Sequence, residues 1–389
     1  MSDQSGRLPH HEVIPPSDHA GQDRALPPDD MIDQDTDHGR WPFLDEVLGD
    51  YRDSLLATYL KSDGAALVAQ RAHHRHVVLA AISATAAVSI AILHLAWPVH
   101  PLATELLEFI FAVLAMLFFH RGAKSREQWL TERHKAERCR FLKFNVMIHS
   151  RVWSRGGETS GEDEVNLGKQ IAEVRKLSYL DLRTWLENEK VPPPPGRFAP
   201  HDFKQLAGFC DYYRKKRLEF QKDFFQRQSE RNVKRDEWWR ALPSRLFAVS
   251  VLLVFGKAVL RGVLIFAHWM AATPSARRIL PEASELIFGI SAHRWDLFLD
   301  VALVCAALLP VFGSGIRTWR SAHESSRNIS RFRANYVALT NIEERLQDAK
   351  IEDATRAESV LRDIWYAEEI MESEHREWLR LMIESDWLG

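Results

Sequence analysis

Four apolar stretches in two pairs constrain this chain more than anything else in it. Val77 to Leu93 is seventeen residues without a charge or a histidine, and His76–Trp97 extends it to twenty-two. That is enough to cross a hydrocarbon core about 30 Å thick. A Pro98-Val99-His100-Pro101 turn leads into a second apolar stretch, Leu102–His120, with Glu105 and Glu108 near its start. The layout recurs downstream. Leu246–His268 contains Lys257 and Arg261, and Leu297–Ile316 contains Asp300 and Pro310. We read spans at 76–97, 102–120, 246–268 and 297–316.

Flanking charge separates membrane spans from buried core helices. The four twenty-residue flanks assigned to the cytoplasm hold 21 Lys or Arg, whereas the two inter-span loops hold only Arg277, Arg278 and Arg294. The positive-inside rule then puts both termini in the cytoplasm. Trp97, Trp269 and Trp295 fall at the outer interface and Trp238 and Trp239 at the inner one, as aromatic belts require. In a bacterial cell this is a multi-pass protein of the inner membrane.

The second hairpin is the weaker one. The fourteen Leu, Ile, Phe and Val residues of its first span contribute roughly -4 to -8 kcal/mol on the insertion scale, and two central cations cost roughly +5 to +7. Counted from the outer ends of the spans, Lys257 lies about 16 Å deep, Arg261 about 10 Å and Asp300 about 5 Å. Depth therefore predicts an Arg261–Asp300 pair and leaves Lys257 nearest in depth to Glu108. Ionisable groups at such depth face a bundle interior or a water-filled path, so Glu105, Glu108, Lys257, Arg261 and Asp300 are the candidate pore residues.

Outside the spans the apolar period is helical. Trp129, Cys139, Leu142 and Val146 mark one segment; Ile171, Val174, Leu177 and Trp185 mark another. Leu339, Ile342, Leu346, Leu361, Ile364, Met371, Trp378 and Met382 mark the last. The expected class is an all-α polytopic membrane protein with long cytoplasmic helices of coiled-coil type. Residues 1–40 hold nine acidic side chains, three basic ones, five prolines and no aromatic residue, a composition that predicts a disordered acidic tail. The run of prolines in 191–200 cannot be helix interior and divides a first two-span unit, 41–190, from a second, 201–389. Trp129 and Trp319 each follow a hairpin, and Arg140-Phe141 is echoed by Arg331-Phe332.

Chemical motifs are scarce. Gly122-Ala123-Lys124-Ser125 lacks the spacing of a phosphate-binding loop. His73, His74 and His76 read as a wet membrane edge rather than a metal site. Cys139, Cys210 and Cys305 are too far apart for a zinc knuckle. A net charge of -2 gives no basic footprint for nucleic acid. No enzyme activity, cofactor or metal is expected.

The run from Tyr59 to Leu67, with Asp63 inside it and Gln70 just beyond, resembles the lead-in of SLATT proteins, the SMODS and SLOG-associating two-transmembrane effectors. Arg217, Gln221 and Phe225 resemble the helix that precedes the span pair in that family, and His375-Arg376-Glu377-Trp378-Leu379 resembles its tail. The likeness covers roughly 50–150 and 205–389, as two copies in tandem. It implies a membrane effector of nucleotide-signalled conflict or antiphage systems, pore-forming or channel-like, acting as a homo-oligomer in the bilayer. Fused family sensors precede the first hairpin. Here an acidic tail stands in that place, so either a separate nucleotide-sensing protein supplies the sensor or this copy does something else. The other reading is a non-conducting scaffold whose cytoplasmic helices dock partners.

Overall fold

The computed structural model describes residues 30–33, 35–49, 51–96, 101–148, 161–188, 203–272, 292–321, 325–347 and 351–384. Every regular element among them is a helix. Two short ones, α1 (Asp35–Arg40) and α2 (Phe43–Leu48), lead into two rods, α3 (Tyr51–Ala96) and α4 (Pro101–Ile148). Then come α5 (Gly161–Lys176), α6 (Tyr179–Glu187) and α7 (Phe203–Tyr213). A π-helical turn, Arg214–Leu218, joins α7 to the 54-residue α8 (Glu219–Ala272). The chain continues as α9 (Ala292–Ser321), α10 (Ser325–Gln347) and α11 (Ala354–Glu384).

Local chemistry sets several of these boundaries. Gly49 has a positive φ of 46° and its N–H donates to the Asp45 carbonyl, which closes α2 in a conformation that only glycine adopts cheaply. Pro101 opens α4, where the missing N–H costs nothing. Ser178 and Asp181 form a reciprocal capping box at the start of α6.

Four helices, not merely four segments, are long and apolar enough to cross a membrane. The expected spans fall in α3, α4, α8 and α9, and α3, α4 and α8 run on well past the inner ends of theirs. α3 is 46 residues and α4 is 48, about 70 Å each. The most apolar stretch of each is nearly bare: at most 22% of it is buried. Leu102, Phe109, Leu252, Phe255 and Ile265 are among the exposed side chains. Large apolar surfaces of this kind are absent from soluble monomers and suit lipid. The protein is an all-α, polytopic membrane protein.

Beyond the spans the same helices build a packed body. Its main core combines Trp41, Phe43, Leu44, Phe141, Phe144, Met147 and Ile148 with Leu206, Phe209, Tyr212, Tyr213, Phe225, Phe332, Leu339, Ile342, Leu361 and Ile364. A second cluster gathers Leu55, Tyr59, Ala136, Cys139, Leu142, Ile171 and Val174. A third gathers Ala66, Ala69, Trp129, Leu130, Leu182, Leu186, Leu379 and Met382. The helical periods of the sequence thus point inward as expected.

The expected units 41–190 and 201–389 share one core, because α4 contributes to the same cluster as α7, α10 and α11; the Pro-rich 191–200 itself lies outside the described residues. The acidic tail does not extend to residue 40. Asp30, Met31 and Asp33 reach the body and α1 is helical. Composition misled there because the segment is held mainly by ion pairs, which a count of apolar residues does not see. Residues 1–29 lie outside the described residues.

Candidate functional site

The body is centred on a buried ionic cluster. Arg217 sits in the π turn, where three consecutive residues, Lys216, Arg217 and Leu218, are all buried. Such turns place extra side chains on one face and recur at functional sites. The Arg217 guanidinium is 1% exposed. It forks onto Glu368 of α11, Nε to Oε1 and Nη2 to Oε2 both at 3.0 Å, and its Nη1 donates to Asp30. Tyr213 donates to Glu368 Oε1 at 2.8 Å.

Arg140 of α4 approaches Asp30 from the other side, Nε to Oδ1 at 3.0 Å. It also donates to Glu137 at 2.8 Å and to the Tyr59 hydroxyl at 2.5 Å. Lys143, one turn on, donates to the Asp30 carbonyl at 2.9 Å and to Asp33 at 2.8 Å, while Tyr212 donates to the second Asp33 oxygen. Lys216 pairs with Asp37 at 2.6 Å. The Gln221 amide reaches Asp30 at 3.4 Å.

The protonation states follow from these contacts. Burial alone would raise the Glu137 carboxyl, but Arg140 and Arg133 hold it down at about 2. Burial opposes the charge on Arg217, yet Glu368 and Asp30 raise its pKa above the ordinary value. Burial pushes Glu368 up, and the Arg217 fork together with the Tyr213 hydroxyl pulls it back; with three donors on it we take it as ionised. Burial raises Tyr212 and Tyr213 well above 10, so both remain donors.

Beside this cluster α4 and α11 meet through two stacked histidines. His134 Nδ1 and His375 Nε2 are 3.2 Å apart, with the rings 5° from parallel. Trp185 lies 4.5 Å from His134, and Trp378 stacks on His375 at 5.9 Å. Burial lowers the His375 pKa to about 4, and burial with His375 as neighbour lowers His134 as well.

The family-like positions fall unevenly on this architecture. Arg217 and Gln221 lie in the ionic cluster. Asp63 of α3 pairs with Arg133 of α4 at 3.0 Å, and Trp378 packs edge-on to Trp129 at 5.7 Å. Gln70 is half-buried and Glu377 exposed, away from the cluster. The echo between Arg140-Phe141 and Arg331-Phe332 has structural content: both phenylalanines are in the main core, and Arg331 pairs with Glu374 at 3.4 Å. Asp30, Asp33, Lys143, Glu368 and His134 had no motif to mark them, whereas Arg217, Gln221 and His375 fall in the family-like segments.

In the spans, one expected pair is replaced by another. Lys257 Nζ meets Asp300 Oδ1 at 3.8 Å, so Asp300 takes Lys257 rather than Arg261, and Lys257 reaches it rather than Glu108. The antiparallel register explains this. A Cβ on Gly313 would lie 3.6 Å from the Pro243 carbonyl, and Ser250 donates to the Ala306 carbonyl at 2.6 Å. Carrying that register forward brings residue 257 to the level of residue 300. Depth counted from assumed span ends misses it, because α8 runs on to Ala272 and α9 begins at Ala292. Arg261 is exposed one turn further along, Glu105 is exposed and Glu108 half-buried. The five candidates therefore do not converge on one axis within the chain.

Gly122 and Ser125 are helical, and Ser125 Oγ donates to the Arg121 carbonyl, which is not phosphate-loop geometry. His73 Nδ1 is engaged with the Gly122 carbonyl at 3.0 Å, the ring stacks on Trp129, and burial lowers its pKa to about 4. Among the described residues no three metal-ligating side chains converge. Two cavities there, beside Cys210 and beside His134, are about 120 and 140 Å³, under the ~300 Å³ of typical ligand pockets. Family models, curated proteins and solved structures were compared with the chain, and none matches.

Proposed function

We propose that this chain is a non-enzymatic membrane effector of SLATT-like type, in which the helical body controls a pore or channel-like opening made by the spans of several copies. One observation carries the reading: the helices that cross lipid are the helices that build the body. Asp63–Arg133 joins α3 to α4, Arg140 of α4 holds Asp30, and Arg217 in the turn that runs into α8 holds Glu368, so a change in the body reaches the spans along continuous helix. The bare apolar faces of the spans leave room for lipid and for further copies. Both termini lie in the cytoplasm of a bacterial cell, and a separate nucleotide-sensing protein supplies the trigger in an antiphage setting.

A scaffold that conducts nothing is the second reading, favoured by the neutralisation of Lys257 by Asp300. Dye release from liposomes holding the purified chain separates the two. The effector reading expects release that grows with protein-to-lipid ratio and changes in Lys257→Gln. Intact liposomes at every ratio, with the protein correctly inserted, leave the scaffold.

A further inference from the structure

Residues 30–33 and 35–37 lie across the ionic cluster as an acidic strap. Asp30 is fully buried and Asp33 nearly so, and Asp37 closes on Lys216. Beneath them four cations, Arg140, Lys143, Lys216 and Arg217, are all less than a tenth exposed. Among the described residues the body's own carboxylates on these cations are Glu137 and Glu368, and Glu137 is shared with Arg133. Asp30, Asp33 and Asp37 add three more negative charges to the four buried cations, and taking them away without replacement is strongly unfavourable. Whatever displaces the strap must therefore be an anion of high charge.

Its geometry is that of a phosphate site. Two guanidiniums from different helices converge on the Asp30 carboxylate, Arg217 as a donor and Arg140 as an ion pair, and the Gln221 amide adds a second donor. A second carboxylate, that of Asp33, is held by Lys143 and the Tyr212 hydroxyl. Lys143 touches both residues and so links two neighbouring anion positions. Convergent Arg pairs with a bridging Lys match tetrahedral oxyanions as well as they match carboxylates. The strap's own apolar hold is slight: Met31 is buried in the second cluster, while the firm anchor, Trp41 to Leu44, comes after it. We propose that Arg140, Lys143, Lys216 and Arg217 form a binding site for a small ligand carrying a diphosphate, and that the Asp30–Asp37 strap occupies it as a displaceable internal substitute. Arg140 lies twenty residues past the end of the second span, about 30 Å along α4, so a lipid headgroup does not reach the site and the ligand is a soluble one.

The test uses inorganic pyrophosphate on the full-length protein in nanodiscs and does not depend on whether the spans conduct. In the wild-type protein, pyrophosphate should speed hydrogen exchange at 30–40 and leave α11 unchanged, with chloride at equal ionic strength doing neither. An Asp30→Asn/Asp33→Asn chain should bind pyrophosphate about tenfold more tightly than wild type, and adding Lys143→Met should remove that binding. Exchange at 30–40 that ignores pyrophosphate overturns the proposal, and the wild-type protein decides this even if the double variant fails to fold. Binding that is indifferent to Lys143→Met overturns it too, since it would lie elsewhere on the surface.

Discussion

At the scale of single residues, Arg217 holds the most. It is the largest of the fully buried side chains and bridges the strap to α11. Arg217→Met leaves Asp30 and Glu368 buried without their shared cation, and removing one partner of a buried pair costs about 3–5 kcal/mol. Thermal unfolding in detergent should show the loss, and Glu368→Met in the same chain should restore part of it. Arg217→Lys should not rescue, because an ammonium cannot make the fork. The histidines give a pH dependence. Unfolded, the imidazoles titrate near 6.5; folded, His375 and His73 do so near 4. Below pH 6.5 the unfolded chain takes up protons that the fold refuses. Stability is therefore complete above 6.5 and falls as pH drops towards 4, by up to about 1.4 kcal/mol per unit for each such group. His375→Gln should flatten that slope. Resemblance brought Arg217 into view, but nothing in the sequence showed its partners: Asp30 is 187 residues away and Glu368 is 151, and ion pairs over such separations leave no periodic trace.

Among the elements, the apolar runs declared themselves because lipid tolerates little else, and the helical periods of α10 and α11 declared themselves because one face must pack. Register did not. It depends on Gly313 against Pro243 and Ser250 against Ala306, contacts made by small side chains whose partners sequence does not name. The Lys257–Asp300 pairing makes a signed prediction. Asp300→Ala should lower insertion of the second hairpin by about 2.5–3.5 kcal/mol, the scale value for an uncompensated lysine. Arg261→Leu should raise insertion instead, because that arginine is exposed rather than paired with Asp300. Glycosylation mapping in microsomes reads both signs, and a loss of insertion in Arg261→Leu as well as in Asp300→Ala would restore the Arg261–Asp300 pair. Gly168 is a second close approach: a Cβ there would sit 2.7 Å from the Tyr51 ring. Gly168→Leu must push α5 off α3, at a cost of about 1–3 kcal/mol, visible as a lower unfolding temperature.

For the molecule as a whole, the repeat of hairpin and helix suggested two tandem units, and the shared core shows one body instead. Phe144 of the first half packs against Tyr212 and Tyr213 of the second, and Arg138 reaches Glu372 at 3.5 Å. Residues 1–190 and 201–389 expressed apart should each be unstable, whereas co-expression should give a complex that purifies on a tag carried by either half. Stable separate halves would mean that the tandem description was right after all. Sequence reading missed this because a linker is legible from its prolines, while the surfaces it brings together are not.

The two hairpins also differ in stiffness. α8 and α9 carry Pro243 and Pro310 inside them, points where a helix bends. α3 is free of proline, and in α4 the only one is the opening Pro101. The first hairpin is a jointless pair of rods: a swing of 5° about the membrane face next to the body would carry the far tip of a 30 Å arm sideways by about 3 Å. Small motions where Asp63 meets Arg133 must emerge as displacement at the opposite leaflet, whereas the other hairpin can absorb the same motion by flexing.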